Sequence, residues 1–291
     1  MHQRIFKLCL SFFSLFCIQK NSGQTYVSIQ NDNDLYFSKD YYYSNGLFLD
    51  YGYLSKKDPN SSYHFRLGQE IYNPSYRYLT NSNRYDYPYS GHLYLRVKHL
   101  KTFTKSAHWV QLTLGVSGNA SGAKQLQNWF HTNFLNLKEL AWIDAMPQKI
   151  LVDLTYGYKR EWAISENLNL GMDVEAQLGL VKSYIKHSTY LLINGLSLLA
   201  VDNPTKTSRS GFYFGAQQHY LFNDFMIQGP LDHSNSLKRE LVPYRIIFVA
   251  GPVFYFNRLI IKGIWNYRSK DTSVQRHPWH PYMSISIGKL L

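Results

Sequence analysis

Apolar and polar residues alternate in short runs along most of this chain, and that two-residue period restricts its fold more than any other feature. Val110, Leu112, Leu114 and Val116 alternate with Gln111, Thr113 and Gly115. Val152, Leu154, Tyr156 and Tyr158 alternate with Asp153, Thr155, Gly157 and Lys159. Similar runs follow at Leu168–Glu175 and Tyr282–Gly288. Side chains two apart share one face of a strand, so the pattern specifies an all-β protein with one apolar face. Charges on the other face, such as Arg96, Asp153, Lys159 and Asp173, suggest a wet interior. A half-buried sheet in a soluble protein would show much the same alternation.

The N-terminus bears on that choice. Residues 1–23 read as a secretory signal: Arg4 and Lys7 supply the positive charge, Leu8 to Ile18 the short apolar run, and Ser22-Gly23 the small residues before Gln24. The run is shorter than the roughly 20 residues of a spanning helix. Phe16 disfavours a lipid anchor at Cys17. Both cysteines, Cys9 and Cys17, fall within the signal, so the mature chain has neither disulfides nor cysteine metal sites. Removing Arg4, Lys7 and Lys20 leaves 28 basic against 19 acidic residues, a charge of +9. No nucleic-acid motif accompanies it, and an exported chain meets anionic lipid headgroups or substrates instead.

Aromatic residues make up 16% of the chain, 25 of them tyrosines. Transmembrane β-barrels carry such residues in girdles at both lipid interfaces. Export and tyrosine excess together favour a transmembrane antiparallel β-barrel of about 12 strands, occupying residues 24–291 as one domain. The strands are expected to begin near Tyr26, Gly46, Tyr63, Gly91, Trp109, Ile150, Leu168, Thr189, Gly211, Tyr244, Leu259 and Pro281. With both termini periplasmic, odd strands run outward. One segment interrupts the alternation. After Gly118–Gly122, Leu126, Trp129, Phe130 and Phe134 recur at helical spacing, predicting a short extracellular loop helix that carries His131.

The stretch Gln30-Asn31-Asp32-Asn33-Asp34 gathers carboxylates and amides at the end of the first strand. Oxygen ligands of this kind suit a hard cation such as Ca2+, but local chemistry alone favours an Asx-rich turn, with Asp34 a turn residue or a partner behind the ligands. An EF-hand is excluded, because no glycine follows Asp34 and Tyr43 stands at the twelfth position. His277 and His280 have a spacing that suits a metal, or belong to an aromatic-rich exposed loop.

Several separated pieces resemble the outer-membrane lipid A 3-O-deacylases. Asn31-Asp32 resembles the family's Asn-Asp pair, and Tyr43-Ser44-Asn45-Gly46-Leu47 its segment opening the second strand. Gln69–Ser75, Pro88-Tyr89-Ser90-Gly91, Gln127–His131 and Ala141–Asp144 are similar to further elements in the same order. The resemblance implies a monomeric twelve-stranded barrel in the outer membrane of a Gram-negative bacterium, with its site facing the outer leaflet. It implies a calcium-dependent esterase that removes the 3-linked acyloxyacyl chain of lipid A in lipopolysaccharide. His131 would be the base that activates water, Asp32 would hold the calcium, and Asn31 and Ser44 would complete the site. Arg77 and Arg84, in the loop before the fourth strand, are candidates for the substrate's phosphates.

The sequence departs from that pattern at Gln30, Tyr87 and Ala145, where the family usually has Glu, Arg and Gln. Two rivals stand beside this reading. One is a catalytically silent barrel, a channel or structural protein. The other is a barrel phospholipase with Ser44 as nucleophile.

Overall fold

The computed structural model describes residues 24–201, 203, 205, 206, 208–231 and 237–291; the signal expected at 1–23 lies outside the described residues. Twelve antiparallel strands close into one barrel, each paired with its sequence neighbours and β1 with β12. They are β1 Thr25–Asn33, β2 Tyr42–Leu54, β3 Ser61–Asn73, β4 Ser90–Thr102, β5 Ser106–Ser117 and β6 Ile150–Ser165. The second half comprises β7 Leu168–Gly179, β8 Lys182–Ile193, β9 Gly211–Asp224, β10 Tyr244–Phe256, β11 Leu259–Ser269 and β12 Trp279–Leu290. Closure pairs every strand edge, which an open sheet in lipid cannot do.

The alternation sorts side chains as expected. Leu95, Leu112 and Leu154 stand on the outer wall, each about half exposed. Such a continuous apolar surface is a liability in water and the ordinary outer face of a membrane barrel. No described helix is long and apolar enough to cross a membrane.

Inside, charge is paired. Arg66 Nε meets Asp50 Oδ1 at 2.6 Å, and Lys186 Nζ lies 3.3 Å from Glu175 Oε1 and 3.6 Å from Asp173 Oδ1. These residues border a polar cavity of about 450 Å³. Apolar plugs pack inside the barrel toward both ends. At the end holding the termini, residues 194–201 turn inward through α2 (Leu198–Val201; α1 is the loop helix described below), packing Leu196, Leu198 and Val201 on Val249, Val253 and Ile260. At the other end α3 (Phe225–Gln228) buries Phe225, Met226 and Ile227 among Tyr42, Tyr72 and Met146.

The two ends differ in their connections. The end with the termini has brief turns at 103–105, 166–167 and 257–258, whereas loop residues 34–41, 74–89, 118–149, 225–231, 237–243 and 270–278 gather at the other, called here the loop end. Most expected strand starts fall within a few residues of those found. The largest difference is β8, which begins at Lys182 instead of Thr189. Its first half presents Tyr184, Lys186 and Ser188 to charged partners inside, so ion pairing conceals the apolar alternation there.

Candidate active site at the loop end

The expected loop helix exists as α1, Ala123–Asn133. Gly118 and Gly122 at φ +64° and +67° turn the chain out of β5 and into it, conformations that cost glycine little. The helix seats on the outer face of β4 at Gly91, where an added Cβ would fall 2.2 Å from Ala123 Cβ. Gln69 on β3 holds the approach by donating from Nε2 to the Ser121 carbonyl at 2.6 Å. One helix face is buried, comprising Gln127, Asn128 and His131. Asn128 clamps the backbone of Leu140 from both sides, and Gln127 accepts from Trp142 Nε1 at 2.9 Å. His131 is therefore held inward, 2% exposed.

What His131 meets is Asp40, from the loop between β1 and β2. Nε2 lies 3.2 Å from Asp40 Oδ2. Arg77 Nη1 approaches the same oxygen at 2.9 Å. Ser44 Oγ and Asn73 Nδ2 donate to Asp40 Oδ1 at 2.9 and 3.0 Å. Burial pushes the Asp40 carboxyl up, but His131, Arg77 and Ser44 outweigh burial and hold it below the ordinary carboxylate range. Ser44 reaches this position through a β-bulge: the β2–β3 register slips between Tyr43 and Asn45, leaving Ser44 as the extra residue. Bulges re-aim single side chains in this way.

Asp34 lies beside this cluster. Its Oδ2 accepts from Tyr41 N at 2.9 Å, and His280 Nε2 is 3.9 Å away while meeting the Tyr43 carbonyl at 3.0 Å. Burial drives the Asp34 carboxyl well above its usual range; the Tyr41 amide offsets part of this, and the neighbouring Asp40 charge adds to it.

The expected residues divide. Ser44, His131 and Arg77 come together. Asn31 and Asp32 do not join them. Asp32 faces the barrel interior, its oxygens accepting from Gln30 Nε2 and Tyr43 OH, both at 2.8 Å. Asn31 lies on the outer face and donates to the Gly46 carbonyl at 3.2 Å. The physical reason is the period of two: only the loop residues beyond β1 escape the strand's alternation and reach the helix. Arg77 is bound to a protein carboxylate. Arg84 is exposed and borders a separate depression with Lys238 and Arg239. His277 stacks on Tyr41 with ring centroids 4.8 Å apart.

Asp40, the hub of the cluster, carried no role in the sequence reading, and Asn73 was missed with it. The signal available for Asp40 was its place four residues before Ser44, just ahead of β2. No group of three or more His, Cys, Asp or Glu among the described residues is arranged to hold a metal. A hard cation, however, takes neutral oxygens too. Among the described residues, Asp34 Oδ1 and Asn73 Oδ1 are buried acceptors with no hydrogen-bond partner, the chemistry a hard cation takes, whereas both oxygens of Asp32 accept hydrogen bonds.

A closed barrel with an apolar outer wall defines a membrane β-barrel, here with a buried polar cluster under a loop helix. The family model described as Outer membrane protein LpxR matches residues 5–289, and the chain belongs to that family of outer-membrane proteins. Among solved structures, LpxR from Salmonella typhimurium is 16% identical, covering 91% of this chain and 99% of that one at a TM-score of 0.75; the two share a fold. The translocator domain of autotransporter NalP from Neisseria meningitidis is 9% identical over 99% of this chain and 95% of that one, with a TM-score of 0.48. The KdgM porin in complex with oligogalacturonate is 5% identical over 91% and 98%, with a TM-score of 0.43. No curated protein matches the chain.

Proposed function

We propose that this protein is an outer-membrane esterase that hydrolyses the 3-linked acyloxyacyl chain of lipid A, with its loop end facing the outer leaflet and acting as a monomer. Membership in the LpxR family supports the substrate class. The contact between His131 and Asp40 carries the chemistry. With Nε2 turned to a carboxylate, the neutral imidazole carries its proton there, and the carboxylate fixes the ring orientation. Nδ1 is left as a buried acceptor without a protein partner. It can take a proton from a water molecule that attacks the ester carbonyl. The acyl C–O bond then breaks, giving a free acid and a hydroxyl on the glucosamine.

Asp34 and Asn73 are the residues that would hold Ca2+, in place of Asp32. When bound, the ion would polarise the ester carbonyl and stabilise the developing oxyanion. Arg77 holds Asp40 ionised, and this role replaces the phosphate contact expected of it.

The rivals have less support. Ser44 Oγ donates to Asp40, and His131 meets Asp40 too, so no serine–histidine pair of nucleophile and base is formed. The apolar plugs at both ends of the lumen argue against a channel. Mass spectrometry of lipid A from cells expressing the wild type, His131→Ala and Asp40→Ala tests the proposal. Loss of one acyloxyacyl mass in the wild type alone is expected. Unchanged lipid A with a folded wild-type barrel in the membrane overturns it.

A further inference from the structure

The outer wall carries aromatic residues unevenly. At the end with the termini, Tyr51, Tyr53, Tyr63 and Phe65 form a run of neighbouring rings on β2 and β3. At the loop end, aromatics occupy only the later strands. Tyr220 and Phe222 stand on β9, and Tyr267 stacks on Trp279 at 4.8 Å, with Phe248 5.9 Å beyond. The outward positions of β1–β6 at this end are instead Asn31, Leu47, Gln69, Leu93, Leu114 and Val152. A membrane barrel with a girdle at both interfaces would be left half-ringed.

Loop elements stand where the strands lack rings. Residues Leu35–Phe37 form a 3-10 turn against β12, and Phe37 stacks on Trp265 of β11 at 5.7 Å, extending the girdle toward β1. On the other side α1 lies over β3 and β4. Its outer face shows Trp129 at 50% and Phe134 at 64% exposure, with ring centroids 5.1 Å apart, and Phe130 5.4 Å from Phe134. This face continues the wall on which Leu67 and Leu95 are already exposed. Between the two loop elements lies the outer face of β1 and β2, where Ile29, Leu47 and Leu49 are exposed.

We infer that α1 is a membrane-inserted element, whose Trp129, Phe130 and Phe134 seat in the acyl–headgroup boundary of the surrounding leaflet. The helix thereby supplies rings above β3 and β4, where the strands themselves carry none. The insertion rests on the fold alone; the depth it gives the site bears on the proposed lipid substrate. One helix then does two things: its buried face presents His131, and its exposed face sets the depth of that histidine in the membrane.

The insertion is tested without reference to catalysis. The chain's only cysteines lie within the expected signal, so a thiol introduced by Phe134→Cys is unique in the exported protein and can carry a bimane label. Gln125→Cys, exposed on the polar side of α1, is the control. In liposomes, brominated phospholipids should quench the label at 134 several-fold more than that at 125; equal quenching overturns the inference. A second arm addresses the depth of the site. The double variant Trp129→Ser, Phe134→Ser should deacylate lipid A in vesicles about tenfold more slowly than the wild type, while matching it on detergent-dispersed substrate. Equal loss in both overturns that role of the rings. Should the wild type show no deacylation in either, the enzymatic reading fails, and the quenching result still decides the insertion.

Discussion

His131 Nε2 and Asp40 Oδ2 stand 3.2 Å apart, one carried by the helix between β5 and β6 and the other by the loop between β1 and β2. Neither strand pair positions the other, so the contact exists only when α1 is docked. Asp40→Asn keeps the shape and removes the charge that fixes the imidazole. Deacylation should fall about 10²- to 10⁴-fold, the range expected when general-base catalysis is lost. Heat-modifiable migration on denaturing gels should show the barrel still folded. Wild-type rates in Asp40→Asn would remove the pair from the mechanism.

Asp34 and Asp32 are two residues apart and face different surroundings. Asp34 Oδ1 is a buried acceptor without a partner, whereas Asp32 is hydrogen-bonded at both oxygens inside the barrel. Titrating free calcium against activity should therefore separate them. Asp34→Ala should raise the calcium needed for half-maximal activity by about tenfold or more, the scale of losing a coordinating carboxylate. Asp32→Asn should leave it unchanged. The reverse result would return the metal to the interior carboxylate.

Gly91 tests the docking of α1 without touching a polar residue. An added Cβ would stand 2.2 Å from Ala123 Cβ and 2.6 Å from Ser121 Oγ, closer than real contacts allow. Gly91→Val should push the helix off β4 and separate His131 from Asp40. Activity should drop about 100-fold or more, because small displacements of positioned groups are costly. The barrel's twelve-strand pairing should survive, measured by its far-ultraviolet circular dichroism and its resistance to detergent.

The barrel was legible because period-two alternation depends only on which side of a sheet a residue faces. The strand number and the helix at 123–133 follow from that reasoning. The site was legible only in part. His131 and Ser44 stand out through a helical interruption and a strand opening. Asp40 does not, because its importance comes from a bulge at Ser44 and a helix docked from a distant loop, neither of which has a local periodic signal. Asn31 and Asp32 drew attention as a motif. Strand alternation then sends their side chains to opposite faces of the wall, a geometric fact that a cluster of polar letters conceals.

Asp271 offers a test of the loop end away from the catalytic cluster. It is buried, and Arg245 Nε and Arg268 Nη2 approach its Oδ1 at 2.9 and 2.7 Å. Burial raises its carboxyl, but the two guanidinium charges prevail and hold it below the ordinary range. A carboxyl with a lowered folded-state pKa adds stability that is fully present above its unfolded value, about 4, and lost as pH falls through the folded value. Asp271→Asn should thus lower thermal stability at pH 7, by about 3 kcal/mol for a buried pair broken on one side. The gap between wild type and variant should shrink as pH falls below about 4, where the wild-type carboxyl takes up its proton. Melting curves of the detergent-solubilised barrel between pH 7 and pH 3 measure both. A gap that widens on acidification would show that the two arginines do not hold Asp271 ionised.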